Sequence, residues 1–268
     1  MMLLANNKTA TVIPALERGL DVLEHISTVD TPLTLTAIAR SCGRSVSELQ
    51  RVVACLHRRG YLFRDAGGAY RVSSKLFQMG QACPPFQDVL TRSRVPMRVF
   101  AHRSGEAVHL SVMAEDRLLI LANVPGPGYL QLGVNVGTLH DPMLSPSGRV
   151  LLAAMSAVDL AAYTKRTGIA ASQVKSLDRH LARIRGRGYE CVESPLYHGI
   201  YDLAVGVTAP GGECIAAVAC SFLRSRDSSA GGRAMAVQSL LPKLRSCSRQ
   251  ITAALEPARH HHEKEIMS

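Results

Sequence analysis

The stretch Leu35 to Leu56, LTAIARSCGRSVSELQRVVACL, sets two short runs of helical periodicity back to back, with only SCGRS between them. Thr34 stands where it can cap the first run, which carries Ile38 and Ala39. The second run places Val46, Leu49, Val52, Val53 and Leu56 on one helix face. Gly43 falls between them and suits the left-handed residue that ends a helix. Two helices crossing at a sharp turn need a small residue at the crossing, a glycine in the turn and an apolar residue under the second helix. Ala39, Gly43 and Leu49 stand in that relation. The pattern predicts a helix-turn-helix, its first helix over 35–41 and its second from Arg44 or Ser45 to about Arg59, stopped by Gly60.

The flanks extend this reading. Upstream, PALERGLDVLEHISTV (14–29) carries Leu16, Leu20, Leu23 and Ile26 at spacings of three or four behind an opening proline, so an amphipathic helix is expected there. Downstream of Gly60 the apolar period changes to two. YLFRD and AYRVS read as short strands joined through AGG, where Gly67 and Gly68 allow positive φ. Helix, helix, turn, helix and hairpin within some 60 residues make a winged helix-turn-helix. SKLFQMGQA continues helically, and CPP at 83–85 marks a linker.

A second unit follows. VPMRVFAHRSG reads as a helix ending at Gly105, AVHLSVMAE and RLLILANV as strands, PGPG (125–128) as a loop and YLQLGV as a further strand. Ser145 or Ser147 is placed to cap a helix that buries Leu151, Leu152 and Met155. SLDRHLARIRGRGY reads as a helix stopped by glycine. LAVGVTAP and CIAAVACSFL read as adjacent strands around Gly211–Gly212. A closing helix contains Pro242, which is expected to kink or interrupt it. Strands mixed with helices and a late hairpin give an α+β unit with a mostly antiparallel sheet.

Composition bounds the partners. The chain has 268 residues, 47% of them hydrophobic, and a net charge of +10 with a pI near 9.6. It has ample core-forming residues for one large or two modest domains. The charge favours polyanions, nucleic acid first and anionic membrane surfaces second. The basic residues are spread over both units and form no basic amphipathic helix, which disfavours a membrane binder. No stretch approaches 18 uninterrupted apolar residues, and the N-terminal apolar run is too short for a signal peptide. Seven cysteines without CxxC or zinc-type Cys–His spacing fit a reducing compartment, so a cytoplasmic protein without a metal or other cofactor is expected.

Away from its apolar face, the second helix of the motif shows Ser47, Glu48, Gln50, Arg51 and Arg58, with Arg44 and Ser45 at its opening. Such a face fits a major groove. Ser47 suits a phosphate or base contact, and the Arg51 fork suits guanine or phosphate. Glu48 could accept from a cytosine amino group. Arg64 and Arg71 flank the hairpin tip as phosphate candidates.

ALERGLDVLEHI, the turn helix, SELQRVVACLHRRGYLFRDAGGAYRVSSKLFQMG, GEAVHLSVM, SGRVLLA, RGRGYE, GIYDLAVGV and IAAVACS together resemble the IclR family of bacterial transcription regulators, over residues 14–256 and in the family's domain order. The resemblance implies a winged helix-turn-helix domain over 12–74, a linker helix and hinge over 75–88, and an effector-binding and oligomerisation domain of GAF/profilin-like fold over 89–257. A polar tail over 258–268, including HHH, would follow. It implies a dimer or dimer of dimers on palindromic promoter DNA, with Ser45–Arg59 as the recognition helix. Glu48 and Gln50 depart from the threonine and histidine common in the family.

By position, the family's pocket for small organic acids falls on Ser145, Pro146, Ser147 and Gly148, then Asp202, then Ala219 and Ser221. Leu130 and Leu132 are available as an apolar wall. N–H groups at a helix start would welcome an anion. Asp202 is a departure, because a buried carboxylate repels an acid or must take up a proton. It selects an amine or polyol, or it points to the surface and Arg149 or a neighbour neutralises it. Two other classes stand beside this reading. An enzyme lacks GxSxG, Walker, HExxH and Rossmann signatures, and His102, His109 and His140 have no nucleophile or metal partner by spacing. A redox-responsive regulator would use Cys42 or Cys55, both expected to pack as small apolar residues.

Overall fold

The computed structural model describes residues 13–81, 84–129, 132–194, 197–223 and 232–255. The chain divides into two compact units at 83/84. The first holds α1 (Pro14–Ser27), α2 (Leu35–Ser41), α3 (Val46–Arg58), β1 (Leu62–Arg64), β2 (Tyr70–Val72) and α4 (Ser74–Gln81). Its core joins Val22 and Ile26 of α1, Ile38 and Ala39 of α2, Leu49 and Val53 of α3, and Leu62 of β1.

Local chemistry sets the angles of this unit. The Thr34 hydroxyl accepts from the Ala37 N–H and starts α2. Gly43, at φ +63°, ends it: its N–H bonds to Arg40 and the next N–H, of Arg44, reaches back to Ala39. Gly60, at φ +77°, repeats the device after α3, with Tyr61 N–H reaching Leu56. No atom crowds a Cβ at Gly43, so a side chain there costs only backbone strain. Gly43→Val should lose about 1–2 kcal/mol, read as an earlier unfolding transition of this unit.

The helix expected over 14–29 ends at Ser27, and its buried face differs from the leucine pattern. Gly19, Val22 and Ile26 are buried, whereas Leu16 and Leu20 are exposed. A Cβ at Gly19 would touch Val52 of α3 at 3.9 Å, an ordinary van der Waals contact. In α3, Leu49 and Val53 are buried but Val46 is exposed. The wing β1–β2 pairs Leu62 with Val72, Phe63 with Arg71 and Arg64 with Tyr70. Tyr70 also exchanges both backbone hydrogen bonds with Leu33, which ties the wing to the α1–α2 connection.

The second unit holds α5 (Pro84–Ser104), β3 (Val108–Ala114), β4 (Arg117–Val124), β5 (Leu139–His140), a 3-10 turn (Pro142–Leu144), α6 (Pro146–Ala154), α7 (Ala157–Arg166), α8 (Ala171–Arg187), β6 (Glu190–Glu193), β7 (Ile200–Thr208), β8 (Cys214–Leu223) and α9 (Gly232–Leu255). The strands form one antiparallel sheet in the order β5-β4-β3-β8-β7-β6. Period-two alternation divides it. Leu110, Leu203, Val205, Val218 and Cys220 pack with α5 and α9 on one face. Ala204, Ala217 and Ala219 pack with α6, α7 and α8 on the other.

Several local expectations change here. The helix expected from Val95 starts at Pro84 and runs through Pro96. The linker segment 84–88 is therefore its first turn, while α4 occupies 74–81. Likewise α9 continues through Pro242. Proline removes a helix bond, but both helices are held by packing: Val89, Met97, Phe100, Leu240, Leu244 and Cys247 are all buried in one core. In YLQLGV, residues 132–134 are irregular, and the edge strand is β5.

Candidate functional site

On α3, Ser47, Arg51, Ala54 and Arg58 recur at three and four residues opposite the buried Leu49 and Val53, and all four are exposed. They form a ridge about 16 Å long. Gln50 lies exposed at its side, and Arg44 and Ser45 are exposed at its start. Ala54 was missed in the sequence because alanine carries no polar signal, yet a methyl on such a ridge suits a thymine methyl.

Glu48 has a different task. Its carboxylate accepts from the Ser45 N–H at 2.9 Å and from the Ser45 hydroxyl at 2.8 Å, while Ser45 Oγ accepts from the Glu48 N–H. This capping box starts α3. Arg18 of α1 approaches the other carboxylate oxygen at 3.8 Å. Hydrogen bonds from the Ser45 backbone, then from its hydroxyl, hold the Glu48 carboxyl below its ordinary value. A lowered folded pKa means stability that is present above the ordinary carboxylate range and lost as pH falls through the folded value. The difference in unfolding temperature between the protein and Glu48→Gln should therefore be present at neutral pH and shrink to nothing on acidification through that range.

In the wing, Arg71 lies over the exposed Phe63 ring, 4.8 Å from its centroid. Arg64 lies over Tyr70 at 5.5 Å and donates to the Gly68 carbonyl at 3.4 Å. Both guanidinium groups are thus pre-positioned at the hairpin and remain exposed. Cys42 packs against the core, and burial raises its thiol pKa. Cys55 does not pack as expected; α3 carries it on its exposed side.

The effector candidates come together on the α6 face of the large sheet. Ser145 caps α6 by accepting from the Gly148 N–H at 3.0 Å, and Ser147 is buried. Gly148 is required by the 3-10 turn: a Cβ there would stand 2.3 Å from the Pro142 carbonyl oxygen. Ser147 Oγ lies 3.4 Å from His109 Nε2. His109 pairs across the sheet with Ala219, and Ser221, two residues along the same face, pairs with Asp202. Asp202 Oδ1 accepts from the Ser221 hydroxyl at 2.5 Å. It is therefore not held by Arg149, whose Nε donates to the Met143 carbonyl. Burial raises the Asp202 pKa, against the lowering hydrogen bond from Ser221. Leu132 is half-buried, and Leu130 lies outside the described residues.

His109 was passed over because its neighbour Ser147 is 38 residues away. Burial, then His140, pushes its pKa down to about 4. So weak a base at neutral pH forms hydrogen bonds rather than activating a serine. Asn123, opposite His109 on β4, was also missed. Glu190 is buried on β6 and accepts from Arg187 and the Cys191 N–H, with His180 Nε2 at 2.6 Å. Among the described residues, no three His, Cys, Asp or Glu side chains cluster to hold a metal ion, and no helix is long and apolar enough to cross a membrane.

Comparison with known proteins agrees with both units. Residues 15–66 match the IclR helix-turn-helix domain, and residues 85–253 match the C-terminal domain of the bacterial transcriptional regulator IclR. The HTH-type transcriptional regulator XynR of Escherichia coli is 25% identical over 222 residues, covering 80% of this chain and 88% of that one. Two solved structures share the fold. Thermotoga maritima IclR superposes with a TM-score of 0.69 at 22% identity, covering 88% of this chain and 98% of that one. An IclR homolog of Microbacterium hydrocarbonoxydans, complexed with 4-hydroxybenzoate, gives 0.72 at 20% identity, covering 90% and 98%. A helix-turn-helix with a wing, followed by an antiparallel sheet between two helical layers and matched over nearly its whole length, places this chain in the IclR family of bacterial transcription regulators.

Proposed function

We propose that the protein binds palindromic promoter DNA through α3 and the wing, and that a small molecule on the α6 face of the sheet controls this binding. The observation that carries the DNA reading is the exposed ridge of Ser47, Arg51, Ala54 and Arg58 on a helix braced at both ends. Arg51 reads a base edge, Ser47, Arg58 and Arg71 position the phosphates, and Arg44 and Gln50 add flanking contacts. Glu48 serves the helix start instead of a base, and Arg64 stiffens the wing.

A homodimer or dimer of dimers fits a palindromic site. Ile13 at the cap of α1, Leu16 and Leu20 on it, and Phe77 and Met79 on α4 are exposed apolar residues that a second copy would cover. The effector works by favouring one arrangement of the DNA-binding units over another. Ligand binding by the Microbacterium homolog supports the C-terminal unit as the sensor. Titrating the full chain with labelled operator, with and without a stabilising ligand, tests this. A shift in operator affinity is expected, and an identical affinity with the ligand bound would refute effector control.

Exposed Cys55 on α3 favours one second reading, redox control of the same regulator. Peroxide should then weaken operator binding by the protein and not by Cys55→Ser.

A further inference from the structure

We infer that the effector is a neutral polyhydroxylated molecule, a polyol or sugar, held between Asn123 and Asp202; this rests on the regulator reading above. Asn123 Oδ1 is buried and accepts no hydrogen bond. A buried acceptor left unmet is costly, and a ligand hydroxyl would satisfy it. Asn123 faces His109 directly across β4–β3, and His109 faces Ala219 across β3–β8. Ser221 follows on the same face, with Asp202 opposite it on β7. One face of the sheet thus carries Asn123, His109, Ser221 and Asp202, with Ser147 of α6 beside His109. The outer two strands of this row are three spacings apart, about 14 Å between backbones.

The chemistry of the row points to hydroxyls. The Asp202 carboxylate accepts, the serines both donate and accept, and neutral His109 offers one of each. Whichever way the Asn123 amide is turned, a hydroxyl can meet it, because it both donates and accepts. Among the described residues, no ion pair joins a cation to Asp202, and the two arginines around α6 each give an N–H to a backbone carbonyl, Arg149 to that of Met143 and Arg185 to that of Ala153. His109 is uncharged at neutral pH. At the start of α6, Pro146 has no N–H and the Gly148 N–H is taken by Ser145. An acid would gain the positive end of α6 but would meet the charge of Asp202. An amine would gain Asp202 but would face the positive end of α6.

Calorimetric titration of the full chain with glycerol, xylitol, D-glucitol and D-xylose, beside glycerate, xylonate, gluconate, benzoate and a short alkylamine, tests the inference. At least one polyol or sugar should bind. Asp202→Leu and Asn123→Leu should each weaken it at least roughly tenfold. The unliganded unfolding temperature of Asn123→Leu should hold or rise, because the change removes a buried, unmet acceptor, whereas Asp202→Leu gives up the Ser221 hydrogen bond and is read on binding. A merely structural role for Asn123 would lower that temperature. Asp202→Asn keeps the shape without the charge and replaces the leucine variant if that one fails to fold. Binding confined to acids, and strengthened by Asp202→Asn, would overturn the polyol assignment and leave effector control standing. Binding confined to the amine would do the same. Silence from every compound, with operator affinity indifferent to all of them, would overturn both.

Discussion

Arg51→Ala should weaken binding to the specific operator by about 1–3 kcal/mol, a loss of roughly five- to more than hundredfold, while leaving affinity for random DNA much closer to that of the parent. Arg51 sits mid-ridge on α3, with Ser47 one turn before it and Arg58 two turns after. No ion pair or cation–π contact is recorded for its guanidinium among the described residues, so its removal should leave folding intact. The discriminating readout is the ratio of specific to random affinity across a salt series. A base-reading arginine lowers that ratio. A phosphate-only arginine lowers both affinities alike and flattens the salt slope by about one unit. Arg58→Ala, nearer the end of α3, should behave in the second way.

Gly148→Ala should damage the effector unit, whereas Gly186→Ala should strengthen it. At Gly148 the added Cβ meets backbone atoms of Pro142 at 2.3 to 2.7 Å, and backbone cannot swing aside as a side-chain tip can. Overpacking of this kind costs about 1–3 kcal/mol or more. For a unit of this size each kcal/mol lowers the unfolding temperature by roughly 2–4 °C. The start of α6 must shift, taking Ser145 and Ser147 with it, so ligand response should fall further than stability. Gly186 is an exposed residue in the last turn of α8 with no atom near a prospective Cβ. Alanine there should gain up to about 1 kcal/mol through helix propensity. Differential scanning calorimetry of the two variants checks the opposed signs.

The motif that decided the DNA-binding unit was legible because its signals are local. Thr34, Gly43, Ser45 and Gly60 each act within a few residues, and the structure starts or ends a helix at each of them. The wing was legible for the same reason, from its change of period and the glycine at Gly68. What failed depends on partners distant in sequence. Leu16 and Leu20 have a helical period, but Gly19, Val22 and Ile26 are the buried residues of α1, because the face of α1 that is covered is set by α2 and α3, which come later in the chain. Pro96 and Pro242 looked like breaks, and only the shared core under α5 and α9 keeps those helices continuous.

The candidate effector wall was half legible. Ser145, Ser147, Gly148, Asp202, Ala219 and Ser221 were named through the family resemblance, and the strand register brings Asp202, Ala219 and Ser221 onto one face. His109 and Asn123 join them only because β3 lies between β4 and β8. That order cannot be read from spacing, since β8 lies more than 100 residues beyond β3. Glu48 shows the reverse limit. Its S-x-x-E capping spacing was present in the sequence but was read as a base contact.

Selection of sites from a randomised duplex library with the full chain, followed by affinity measurements on the selected site and on random DNA, tests the central claim most directly. The account predicts a two-fold symmetric site, with half-site centres about one helical turn or a multiple apart. It also predicts affinity at least about a thousandfold above that for random DNA at physiological salt. Failure of any sequence to enrich, with random DNA bound as tightly as every selected duplex, would contradict it.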